Sequence, residues 1–233
     1  MVRTSSAPAP PAMDYQDVER IALEVMAAHG CHTAILYGSW ARGQATNESD
    51  VDVLCVRDEG KAFRDARIID GVYLDAFIYP RSDLATPSSS LLRALGGVVL
   101  READGCGTAL LAQLSALHER GPAPLPQDER RAVVLWSRKM LERMGGSSGL
   151  EAGYRRMQLY MQCLEDYFAL RGRWFEGPRL AYAWLLQHDT AAYRCFAHAA
   201  LPAASADAFV ALVQAVYGPF SESIAPGAPG SSR

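Results

Sequence analysis

Asp50-Val51-Asp52-Val53 puts two carboxylates two residues apart at the head of an apolar run that continues to Val56. Side chains alternate between the faces of a strand, so Asp50 and Asp52 share one side while Val51 and Val53 turn to a core. Two carboxylates side by side repel each other unless a cation lies between them. Hard divalent cations such as Mg²⁺ take carboxylate oxygens and fill the rest of their shell with water and substrate phosphates. Upstream, Leu36-Tyr37-Gly38-Ser39-Trp40-Ala41-Arg42-Gly43 reads as an apolar strand, a glycine turn and a short helix or loop. Gly38 lets the backbone approach a ligand closely, and Ser39 offers a hydroxyl and an N–H. A glycine turn that opens a helix is also a seat for an anion. The stretch therefore describes a phosphate cradle beside a metal-binding carboxylate pair.

A third carboxylate follows. Ala62–Ile69 and Val72–Tyr79 flank Asp70-Gly71, a strong two-residue hairpin signal. In the second arm, Val72, Leu74, Ala76 and Ile78 share one face; Tyr73, Asp75, Phe77 and Tyr79 share the other. A lone carboxylate in so apolar a strand is costly unless it is paired or faces water.

Gly38-Ser39, ten residues, then Asp50-Val51-Asp52 resembles the signature of the DNA polymerase β-like nucleotidyltransferase superfamily. That family includes antibiotic nucleotidyltransferases and the minimal nucleotidyltransferases of toxin–antitoxin pairs. The resemblance implies that a hydroxyl attacks the α-phosphate of a nucleoside triphosphate, ATP being the first choice of donor, and that pyrophosphate leaves. It implies two Mg²⁺ ions held by Asp50, Asp52 and Asp75, with Asp75 completing the metal site or taking the proton from the hydroxyl. It further implies that Gly38 and Ser39 hold the β- and γ-phosphates, with Arg42 neutralising them. Lys139, one of two lysines in the chain, would reach the triphosphate from the C-terminal half. In some members a carboxylate of the helical domain is the base, and Glu142, Glu151, Glu165 and Asp166 all qualify here.

These residues need a scaffold. Asp14 caps a helix carrying Val18, Ile21, Ala22, Val25 and Met26 at helical spacing, with Gly30 as its stop. Strands follow at Thr33–Tyr37 and Asp50–Val56, joined through a short helix within Trp40–Ser49. After the hairpin come a short helix near Leu91, a strand at Val98–Arg101 and an amphipathic helix at Thr108–Glu119. Gly121-Pro122-Ala123-Pro124-Leu125-Pro126 is a stiff linker. Beyond it the spacing predicts helices at Asp128–Met144, Leu150–Leu170, Arg179–His188, Thr190–Leu201 and Ala204–Tyr217. The expectation is an α+β protein: a small mixed β-sheet nucleotidyltransferase domain over 13–120, then an α-helical bundle over 127–218. Residues 1–12 and 223–233 read as disordered tails. By resemblance, the acceptor lies between the two domains.

The 233 residues carry a net charge of −3, and 49% are hydrophobic, ordinary values for a globular protein. Five scattered cysteines and five histidines form no metal-binding pattern and suit a reducing cytoplasm. No apolar run is long enough for a membrane span. Residues 127–218 hold 11 Arg and Lys against 9 Asp and Glu. That is neither an acidic bowl for a polycationic aminoglycoside nor the clustered basic surface of a nucleic-acid binder. Tyr154-Arg155-Arg156 and Arg171-Gly172-Arg173-Trp174-Phe175 interleave arginines with aromatics, which a helical core and its rim explain. The expected acceptor is a hydroxyl of a small molecule, an antibiotic or a natural-product intermediate, handled by a monomer or homodimer. The rivals are nucleotidylation of a protein or tRNA, and a non-catalytic, antitoxin-like binding module.

Overall fold

A computed structural model describes residues 13–46, 48–146, 148–201 and 203–221. The two expected tails, 1–12 and 223–233, lie outside these residues. The chain divides after Arg120 into two compact units.

In the first unit, helix α1 (Tyr15–Ala28) opens on a capping box in which Asp14 and Asp17 each accept the other's backbone N–H. Strand β1 (Thr33–Tyr37) runs into α2 (Gly38–Ala41), a single helical turn. Then come β2 (Val51–Arg57), β3 (Phe63–Ile69), β4 (Val72–Pro80), two 3₁₀ turns (Arg81–Leu84 and Ser89–Ala94), β5 (Val98–Arg101) and α3 (Cys106–Arg120). The five strands form one sheet in the order β3-β4-β2-β1-β5. It is mixed: β2 and β4 are parallel, and the other pairings are antiparallel. The Asp70-Gly71 turn takes positive φ at both residues, 52° and 83°, as a two-residue hairpin of matching twist requires.

Strand β2 is covered on both faces, which is why it reads as a continuous apolar run. Val51, Val53 and Cys55 pack with Val18, Ile21 and Val25 of α1. Leu54 and Val56 pack with Leu91 and Ala94 of the second 3₁₀ turn and Leu110 and Leu114 of α3. That second cover reaches only part of the sheet. Along β2 and β4 the same face continues to Asp52 and Asp75, each only partly buried.

The second unit is all helix: α4 (Gln127–Gly146), α5 (Gly149–Leu170), α6 (Pro178–His188), α7 (Thr190–Ala199), α8 (Ala206–Tyr217) and a last 3₁₀ turn, Gly218–Phe220. Its core is aromatic-rich, with Tyr167, Phe168, Phe196, Phe209 and Tyr217 buried together. Asp166 is buried there too, accepting hydrogen bonds from Tyr217 Oη (2.6 Å) and Gln162 Nε2 (2.9 Å). Burial raises its pKa and these two bonds oppose the rise. No helix among the described residues is long and apolar enough to cross a membrane.

Candidate active site

Register builds the site. Across three neighbouring strands, Tyr37 of β1 stands opposite Asp52 of β2, and Asp52 stands opposite Asp75 of β4. Neighbouring strands lie about 4.8 Å apart, so the two carboxylates are side by side on one face. Asp50 falls one residue ahead of β2, exposed, because pairing with β4 begins at Val51 opposite Leu74. Its charge is still felt at Asp52.

Gly38 explains why a glycine follows β1. Its φ is +75°, and a Cβ there would lie 2.1 Å from Asp52 Oδ2. The carboxylate fills the space that any other residue's side chain would claim, so the turn and the acidic strand close against each other. Ser39 lies in α2, half-buried; Arg42 caps that turn and is exposed.

Asp52 is electrostatically uncomfortable. Its pKa is pushed up to about 6, first by burial, then by the charges of Asp75 and Asp50, while Arg42 and Arg93 pull it back. Tyr37 is pushed up as well, chiefly by burial and then by the charges of Asp52 and Asp75, which keeps its hydroxyl protonated. Asp75 has found a partner: Arg64 of β3 donates to it through Nε (2.5 Å) and Nη2 (2.9 Å). With Asp75 held by Arg64 and Asp50 ahead of the strand, no three acidic, histidine or cysteine side chains among the described residues close into a metal cage.

The residues present nonetheless fit a hard divalent cation. The donor set is all oxygen, which suits Mg²⁺ rather than a softer metal. A half-buried carboxylate opposed by two others gains from any cation placed beside it.

Gly38, Asp52 and Asp75 come together, with Ser39, Arg42 and Asp50 at their border. Lys139 sits on an exposed position of α4 in the second unit. Of the proposed helical-unit bases, Glu142, Glu151 and Glu165 are exposed, Glu151 being paired with Arg155, whereas Asp166 is committed to its buried bonds. Arg64 and Arg93 were missed. A signal for Arg64 existed, since the Asp70-Gly71 turn fixes Ala66 opposite Asp75 and Arg64 opposite Phe77. Nothing in the sequence marked Arg93.

Residues 20–89 match the family model described as a nucleotidyltransferase domain. Over these residues the chain is similar to nucleotidyltransferase domains, which are transferases of phosphorus-containing groups. The matched segment contains Gly38, Ser39, Arg42, Asp50, Asp52 and Asp75, while Lys139 and the four candidate bases of the second unit lie outside it. The chain is also similar to a nucleotidyltransferase-like protein from Exiguobacterium sibiricum, known from a crystal structure. They share 13% identity over 90% of this chain and 76% of that one, with a TM-score of 0.39. No curated protein matches the chain.

Proposed function

We propose that this protein moves a nucleoside monophosphate, AMP from ATP before the others, to a hydroxyl of a small molecule such as an antibiotic or a natural-product intermediate. The observation that carries the reading is the pairing of Asp52 with Asp75 across β2 and β4, with Gly38 closed against Asp52 Oδ2. Asp50 and Asp52 would hold Mg²⁺ through their carboxylate oxygens, and Asp75 would either complete that set or take the acceptor's proton. When bound, the metal supplies positive charge at the attacking and leaving oxygens of an in-line displacement. The Gly38 backbone and Ser39 position the β- and γ-phosphates, and Arg42 offsets their charge.

The acceptor oxygen bonds to the α-phosphorus, the bond from that phosphorus to the β-bridging oxygen breaks, and pyrophosphate leaves. Where Asp75 is not engaged by the metal, the hydroxyl proton passes to it. Three carboxylates (Asp50, Asp52, Asp75) face three guanidinium groups (Arg42, Arg64, Arg93) around the site, a balance that favours a weakly charged acceptor over a polycation. The five cysteines, all free thiols, suit work in the cytoplasm.

Calorimetric titration with ATP, GTP, CTP and UTP, with and without Mg²⁺, tests the reading. The expected result is Mg²⁺-dependent binding with ATP ahead, abolished in Asp50→Asn/Asp52→Asn while the fold is kept. Binding that survives in the double variant would overturn the site.

A further inference from the structure

Arg93 belongs to no motif and lies beyond the segment that matches the family model. It sits in the second 3₁₀ turn, where Leu91 and Ala94 are buried against the same sheet face that carries the carboxylates. Its Nε donates to the Ser90 carbonyl at 2.8 Å. Its guanidinium lies over the Phe77 ring, 4.1 Å from the centroid. Phe77 is two residues past Asp75 on the same face of β4, and its partner in register is Leu54, two residues past Asp52. Turn and ring together hold the guanidinium over the strand positions next to the carboxylate row. Its charge is felt at both Asp52 and Tyr37.

Two arginines flank this ring, and they differ in one respect. Arg64, 5.4 Å from the Phe77 centroid, spends its fork on Asp75. Arg93 spends only Nε; its two terminal nitrogens meet no hydrogen-bond acceptor or carboxylate among the described residues. A guanidinium fixed by its Nε and by stacking, with its outer nitrogens open, matches the spacing of two phosphate oxygens.

We propose that Arg93 binds the phosphate chain of the donor nucleotide, and the pyrophosphate before it departs, as a second clamp beside Gly38, Ser39 and Arg42. The proposal rests on the nucleotidyl-transfer reading above and adds to it a residue that the family signature does not contain. Nothing covalent happens at Arg93: its part is to fix and neutralise phosphate oxygens.

The test is calorimetric binding of Mg²⁺ with ATP and of Mg²⁺ with inorganic pyrophosphate to the full chain. Arg93→Ala is expected to weaken both by about tenfold or more, the usual scale of a lost charged hydrogen bond. Arg93→Lys, which keeps the charge and loses the fork, should fall between. Arg93→Gln guards against a folding defect, since it can still donate to Ser90 while lacking charge, and should bind as weakly as Arg93→Ala. Arg81→Ala, in the neighbouring turn and engaged with His32 and Asp104 instead, should bind like wild type. Wild-type affinity in Arg93→Ala and Arg93→Gln overturns the proposal and leaves nucleotidyl transfer standing. Absence of ATP and pyrophosphate binding in the wild type overturns both.

Discussion

At the scale of single residues, the cost of the site is concentrated in Asp52. A carboxylate whose pKa rises to about 6 on folding, from roughly 3.9 in an unfolded chain, binds more protons in the native state than in the unfolded one across that interval. Stability therefore falls as pH rises from about 4 to about 6 and stays lower above it. Asp52→Asn removes this penalty. In metal-free buffer the variant should gain on wild type as pH climbs through that window, and the gap should then remain constant to pH 7. Two pKa units correspond to about 3 kcal/mol; Asp52 is only half-buried, so solvent screening brings the expected gap to roughly 1–2 kcal/mol. Urea unfolding at pH 4, 5, 6 and 7 measures it. Millimolar Mg²⁺ at pH 7 should narrow the gap by stabilising wild type alone, since a ligand that binds only the native state adds to its stability. A gap independent of pH would show that Asp52 carries no such strain.

At the scale of elements, the hairpin β3–β4 sets the register that brings Arg64 to Asp75, and the turn sets the hairpin. Gly71 has φ +83°, and a Cβ there would meet nothing within 4 Å, so a side chain costs conformational energy without a clash. Gly71→Val should lower the urea midpoint by an amount worth about 1 kcal/mol or more, and an unchanged midpoint would mean the turn does not hold the register. The same turn shows what could be read from the chain. Asp70-Gly71 announced the hairpin, and alternation along Tyr73, Asp75 and Phe77 put Asp75 on the face opposite Leu74, Ala76 and Ile78. The strands Thr33–Tyr37 and Val98–Arg101 appear as expected, because short apolar runs bounded by turn residues leave little choice. The helix expected within Trp40–Ser49 is instead the single turn Gly38–Ala41, since the following Gly43 has positive φ and polar residues offer no apolar stripe. That Asp52 meets Asp75 depends on β2 and β4 being parallel neighbours, a long-range pairing that local patterns do not encode. Arg93 was hidden for the same reason: a 3₁₀ turn has no periodic signal, and its place over Phe77 is set by packing from α3 and the sheet.

At the scale of the whole molecule, each hydrophobic core closes within one unit. The two cores that sandwich the sheet use residues between Val18 and Leu114, and the helical core uses residues between Val134 and Tyr217. A chain of roughly 110 residues buries enough surface to fold alone. Residues 13–120 produced separately should unfold in one cooperative step, with a urea dependence of about 1–3 kcal/mol per molar. All the donor-binding residues proposed above lie in that fragment except Lys139. If Lys139 contacts the triphosphate, the folded fragment should bind Mg²⁺-ATP about tenfold more weakly than the full chain, and Lys139→Ala in the full chain should show a loss of the same size. Equal affinities in all three would assign the donor site to the first unit alone and Lys139 to the solvated face of α4. A fragment that folds yet binds no nucleotide would require more of the helical unit than one lysine, because a single charged contact is too small a fraction of a nucleotide's binding energy to abolish it.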